Sequence, residues 1–135
     1  METVIHLPQG LKNRGIRAAI DDYRKRISDI KLTVSDRLPE KRGDGEVWVG
    51  LDREGRQVTT EALHEWLQKK SRNCSTVRFL IGGKQGLEGE RLKKCDWKWS
   101  LGPLVLGQFP AALVVAEQLY RCYSLRSGHP YHKLG

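Results

Sequence analysis

The residues best suited to chemistry stand near the end of the chain. Glu117-Gln118-Leu119-Tyr120-Arg121 leads into Gly128-His129-Pro130-Tyr131-His132. Imidazole exchanges a proton near neutral pH, so His129 and His132 are candidate acid or base groups. Tyr131 supplies a phenol and an aromatic face. A metal would need a third ligand close by, and none is in the vicinity, so no metal is expected. Arg121 and Arg126 could contact phosphate, although Arg121 also stands four residues after Glu117, the spacing of a helical ion pair. A second candidate is Leu80-Ile81-Gly82-Gly83-Lys84-Gln85-Gly86. Glycines after a strand let backbone approach a ligand. The run is neither G-x-G-x-x-G nor a P-loop, so ligand loop and simple turn are both open readings. The third is Trp99-Ser100-Leu101-Gly102-Pro103-Leu104-Val105-Leu106-Gly107. It suits an aromatic base held by backbone groups in an apolar slot, or else a buried strand with a bend.

The surrounding patterns say what must position these groups. Thr3 to Leu7 reads as a strand, broken by Pro8-Gln9-Gly10. Ile16, Ile20, Tyr23 and Ile27 share one helical face, with Arg14, Arg17, Arg24 and Lys25 largely elsewhere. That basic face is either solvated or turned to RNA. Ile30 to Val34 alternates as a half-buried strand does. Leu38 to Gly45 is polar and carries Pro and Gly, which predicts a mobile loop. Glu46 to Leu51 is a strand running into a turn at Asp52 to Gly55. Thr59 is a helix N-cap, with Leu63, Trp66 and Leu67 as the apolar stripe of a helix ending near Lys70. Val77 to Ile81 is a strand and Glu88 to Lys94 a short helix. An extended segment lies between Trp97 and Leu106, with Trp97 and Trp99 in the core. Pro110 opens a long apolar helix reaching about Leu125. Alternating strands and helices predict an α/β domain with a mostly parallel sheet.

At 135 residues the chain is one domain's worth. With 39% hydrophobic and 30% charged residues it reads as a soluble globular protein rather than a disordered polycation. A formal net charge of +8 favours an anionic partner, nucleic acid being the commonest. No apolar run is long enough to span a bilayer. The N-terminus has no basic leader or apolar segment, so a cytoplasmic location is expected, with no membrane partner. Cys74, Cys95 and Cys122 form no CxxC pair, which argues against a zinc site or disulfide framework.

Taken in order, Leu80-Ile81-Gly82-Gly83, Gly86-Leu87, Trp99-Ser100-Leu101, Val115 to Arg121 and His129-Pro130-Tyr131-His132 resemble the RlmH family of large-subunit ribosomal RNA pseudouridine N3-methyltransferases. The likeness runs from about Val77 to His132. Leu51-Asp52 and Lys41-Arg42-Gly43 fit the family's Leu-Asp pair and Lys-Arg-Gly loop. The resemblance implies the SPOUT fold over residues 1–135, in which the C-terminal segment makes a trefoil knot. It also implies a homodimer that binds S-adenosylmethionine and acts on ribosomal RNA or the ribosome, not on DNA. Carried over by position, Leu51, Gly83, Leu101, Gly102, Pro103, Leu104, Val105 and Leu106 would hold the cofactor. His129, Tyr131 and His132 would act on the substrate base. Lys41, Arg42, Arg121 and Arg126 would contact RNA. The chain departs from the family at Gln108 and Ala112, where a His and an Arg are usual. The family is also longer, the missing length falling between Ser35 and Glu46. These departures leave two rivals: a silent RNA-binding protein on the same fold, and a methyltransferase acting on transfer RNA.

Overall fold

The computed structural model describes residues 1–83, 86–128 and 131. The chain runs β1 (Glu2–His6), α1 (Arg14–Arg26), β2 (Lys31–Ser35), β3 (Glu46–Arg56), α2 (Thr60–Ser71), β4 (Thr76–Leu80), α3 (Gly89–Lys93), β5 (Trp97–Trp99) and α4 (Gln108–Ser127). The five strands form one sheet in the order β2-β1-β4-β3-β5, every neighbouring pair parallel. All five therefore end on the same edge, where ligands of open α/β sheets bind.

Side-chain alternation sets the two faces. Ile5, Val47, Val49, Val77 and Phe79 point to one face and form the main core with Ile20, Leu63, Leu67, Val115, Ala116 and Leu119 from the three long helices. Asn13 and Thr59 cap α1 and α2, their side-chain oxygens accepting from the N–H groups of Ile16 and Ala62. On the opposite face Trp48 and Leu80 are fully buried beside Leu87, with Leu38, Leu92 and Cys95 packed around them. Among the described residues no helix is long and apolar enough to cross a membrane.

Three expectations are corrected. The strand predicted to stop at Leu51 continues to Arg56, and both Leu51 and Arg56 pair with Trp99 across a register shift. Gly55 makes this return fit, because a Cβ there would lie 2.7 Å from the Lys98 carbonyl. The last helix opens at Gln108, two residues before Pro110. Proline is tolerated throughout a first turn, whose N–H groups have no acceptor four residues back.

The third correction concerns the loop predicted to be mobile, which is fastened to the body. His6 Nδ1 is 2.6 Å from the Arg37 carbonyl oxygen. Arg91 donates to the Pro39 carbonyl. Arg42 spans both Asp96 oxygens at 2.7 and 2.8 Å, also donates to the Lys94 carbonyl, and lies over the Trp48 ring. Glu46 accepts from the Gly43 N–H, from Trp48 Nε1 and from Arg78.

Candidate active site

The second half of β3 and the segments after β4 and β5 enclose an open cleft of about 430 Å³. From β3 come Leu51, Asp52, Arg53 and Glu54. From the loop after β4 come Ile81, Gly82, Gly83, Gly86 and Leu87. Trp99, Leu101, Gly102, Leu104, Val105 and Leu106 supply the third wall, and Gln108 and Ala111 the first turn of α4. Buried Trp99 packs on Phe79 at 5.8 Å between ring centroids, giving the cleft a dry floor.

Glycine shapes the second wall. Gly82 is jammed against the returning chain: a Cβ would fall 2.1 Å from the Gly86 carbonyl carbon. The Gly86 N–H donates to the Gly83 carbonyl at 2.9 Å, and Gly86 takes φ +76°, a region that favours glycine. At Gly83 a Cβ would meet nothing within 4 Å, so backbone lies bare at the cleft. The third wall is set by Ser100, whose buried hydroxyl accepts from the Gly102 N–H and donates to the Gly102 carbonyl, both at 3.1 Å. The φ of +122° at Gly102 lets the chain turn there. Beyond it, Leu104 and Val105 stand 74% and 77% exposed, too apolar for a surface with nothing to cover. Gln108 opens α4 behind Gly107, and its Oε1 is buried with no hydrogen-bond partner among the described residues.

Seven of the eight residues predicted to hold the cofactor line this one cleft, and Pro103 does not. Sequence reasoning did not single out Arg53, Glu54 or Ala111. Their place depends on β3 running past its expected end and on α4 starting early.

Of the residues assigned to the substrate base, Tyr131 is described, and it is not among those lining the cleft. His129 and His132 are outside the described residues. Tyr131 packs edge-on against Tyr120 at 4.5 Å, and the Arg121 guanidinium sits 5.0 Å over its ring. Its hydroxyl donates to Glu117 Oε1 at 3.2 Å. Burial, with hydrogen bonds to Tyr23 and Glu117, pushes the phenol up to about 12. Arg121 also pairs with Glu117 at 2.5 Å. Arg126 grips Asp29 at 2.5 and 2.8 Å and holds that carboxyl below its ordinary range. Lys41 is exposed in the loop that Arg42 fastens. The rise of a helix, ~1.5 Å per residue, puts Tyr120 roughly 18 Å along α4 from Gln108. The cysteines are free, and burial raises all three thiols, Cys122 to about 12. No cluster of three His, Cys, Asp or Glu suited to a metal occurs among the described residues.

Known proteins are similar to this chain. The family described as "Predicted SPOUT methyltransferase" matches residues 30–132. A Ribosomal RNA large subunit methyltransferase H of Pseudomonas fluorescens is 40% identical over 123 residues, 91% of this chain and 75% of that protein. Its namesake in Stenotrophomonas maltophilia is 35% identical over 130 residues, covering 96% and 78%. The solved structure of a probable methylase family protein from Haemophilus influenzae superposes with a TM-score of 0.61 at 14% identity, covering 98% of this chain and 70% of that one.

Proposed function

The chain belongs to the SPOUT methyltransferase family, and from that premise we propose that it methylates N3 of a pseudouridine in large-subunit ribosomal RNA. The cofactor in this reading is S-adenosylmethionine, held in the cleft behind β3, β4 and β5. The observation that carries it is the meeting of the bare backbone at Gly83 with the apolar Leu101–Leu106 segment across one cleft. That pairing suits a flat base and a chain that must lie against backbone. Asp52, Arg53 and Glu54, on the β3 side, add charges able to meet an amino-acid moiety. The residues present therefore fit the group.

S-adenosylmethionine supplies a methyl on a cationic sulfonium, which is electrophilic without help. What this chain must do is position and deprotonate. Trp99 and Ile81 keep the cleft floor dry, and Gly83 and Gly102 admit close approach of backbone. The N3 proton of the target base needs an acceptor. Tyr131, its phenol raised to about 12, stays protonated near neutral pH and serves to orient. His129 and His132 are left as the proton acceptors in this reading. In this reading Lys41, Arg42, Arg121 and Arg126 contact RNA; the three arginines are ion-paired with Asp96, Glu117 and Asp29.

Tyr131 packs on the far half of α4, away from the residues that line the cleft. A homodimer resolves this, one protomer giving the cleft and its partner the tail. Exposed Leu104, Val105 and Val114 are apolar surface for such a contact. The trefoil knot of the family belongs to the same reading, as does a cytoplasmic location beside the ribosome.

The test is methyl transfer from labelled S-adenosylmethionine to ribosomes that lack the modification. The expected product is N3-methylpseudouridine in large-subunit RNA. Label found in transfer RNA instead would refute the ribosomal substrate. No label from folded, cofactor-binding protein would favour a silent RNA-binding role.

A further inference from the structure

A second cavity, of about 290 Å³, lies between α2, β3 and the edge strand β5. Trp66 of α2 and Trp97 of β5 line it, their ring centroids 5.2 Å apart and their planes at 71°. In such an edge-to-face pair one ring meets the other with its rim, so the contact does not use up that ring's faces. Both side chains are only partly buried. The corner between them suits a third flat ring. Charge then selects among flat rings. Arg56 and Lys70 also line the cavity, and neither has an ion-pair partner among the described residues. Arg24, Arg26, Arg42 and Arg126, by contrast, each hold a carboxylate. The one acid among the described lining residues, Asp96, is taken up by Arg42 at 2.7 and 2.8 Å and by the Trp48 N–H at 2.7 Å. An occupant that joins an aromatic ring to a negative charge satisfies both features, and a nucleotide does so. The volume is at the small end of ligand pockets, room for one nucleotide rather than several.

The cavity adjoins the cleft. Trp97 and Trp99, two residues apart on β5, leave the same face of the strand with ring centroids 6.1 Å apart, and Trp99 belongs to the cleft floor. Ser100, whose hydroxyl shapes the third wall of the cleft, donates its N–H to the Arg56 carbonyl at 2.8 Å. Resting on the reading that the substrate is RNA, we infer that this cavity takes one unpaired nucleotide close in the strand to the methylated base. Its base stacks on tryptophan, and its phosphate meets Arg56 and Lys70. Stacking accepts any base, because every base has a π-face, so the site fixes the path of the strand rather than its sequence.

The test is an anisotropy titration with a short single-stranded RNA and with an abasic ribose-phosphate strand of the same length. Wild type should bind the RNA at least about fivefold more tightly, the low end of what one stacked base contributes. Trp66→Leu should bring that ratio near one, whereas Trp66→Phe keeps a stacking face and should keep the preference. Arg56→Gln combined with Lys70→Gln should weaken both strands and flatten the dependence on salt. A strand carrying 5-iodouridine, irradiated on wild type, should cross-link to Trp66 or Trp97, which places the base even where Trp66→Leu does not fold. Binding of neither strand, equal binding of the two by wild type, a ratio unchanged in folded Trp66→Leu, or cross-links confined to other residues would each overturn the assignment. Methyl transfer to ribosomes is read separately. Transfer without base preference would sink the cavity alone, and base preference without transfer would sink only the methyltransferase reading.

Discussion

Tyr131 donates its hydroxyl to Glu117 Oε1 at 3.2 Å, while Arg121 Nε approaches the same oxygen to 2.5 Å. One carboxylate on α4 thereby anchors the tail residue and the cation lying over its ring. The Glu117-to-Arg121 spacing and the later tyrosine, far apart in sequence, are parts of one device that fixes where the tail leaves the helix.

Tyr131→Phe removes that hydroxyl bond and keeps the ring packing. It should cost about 1 kcal/mol of stability, read from urea unfolding. Methyl transfer should fall well beyond this, while binding of S-adenosylhomocysteine stays within twofold, since the cleft lies elsewhere. An equal loss in both would make Tyr131 part of the cofactor site.

Glu46 is held at about 2, chiefly by its hydrogen bond with Arg78 and further by the N–H of Gly43 and the Trp48 indole. Its folded value is below its unfolded value, so the stability it adds is present above the unfolded pKa, near 4.3 to 4.5. That stability is lost as pH falls from there toward 2. The linkage is worth of order 3 kcal/mol. Wild type should lose most of this between pH 5 and pH 2.5 in urea unfolding. Glu46→Gln, already less stable at pH 7, should show a flatter profile over that range.

The two adjacent glycines should separate cleanly. At Gly83 a Cβ meets nothing within 4 Å, so Gly83→Val should fold with an unchanged thermal midpoint and lose S-adenosylhomocysteine binding by at least tenfold. At Gly82 a Cβ would overlap the Gly86 backbone, so Gly82→Ala should lower both the midpoint and the binding. A Gly83→Val protein that binds normally would place the cofactor elsewhere.

Local pattern sufficed where the deciding contacts are local. The Ile16, Ile20, Tyr23 and Ile27 face and the Thr59 cap each lie within a few residues of what they specify, and α1 and α2 follow. The glycine and apolar segments were legible as two pieces; parallel pairing of β3, β4 and β5 is what brings them to one edge. The loop from Leu38 to Gly45 misled because its anchors, Arg91 and Asp96, are 52 and 54 residues from the groups they hold. Its polar residues signal exposure, and residues 40–45 are exposed, yet Arg42 reaches Asp96 and the Trp48 ring, and the Pro39 carbonyl and Gly43 N–H are also bonded. The separation of Tyr131 from the cleft was hidden too, because it depends on the length and direction of α4 rather than on any residue type.

That separation makes the last prediction. Truncation after Ser127 should leave a folded protein that binds S-adenosylhomocysteine and transfers no methyl. Gly83→Val should keep its tail and lose its cleft. Neither alone is active, but if each site joins one protomer's cleft to its partner's tail, a mixed dimer holds one complete site. Re-equilibrating equal amounts makes half the dimers mixed, each with one working site of two, so about a quarter of wild-type activity should return. Mass-resolved mixed dimers without recovered transfer would show that cleft and tail must come from one chain.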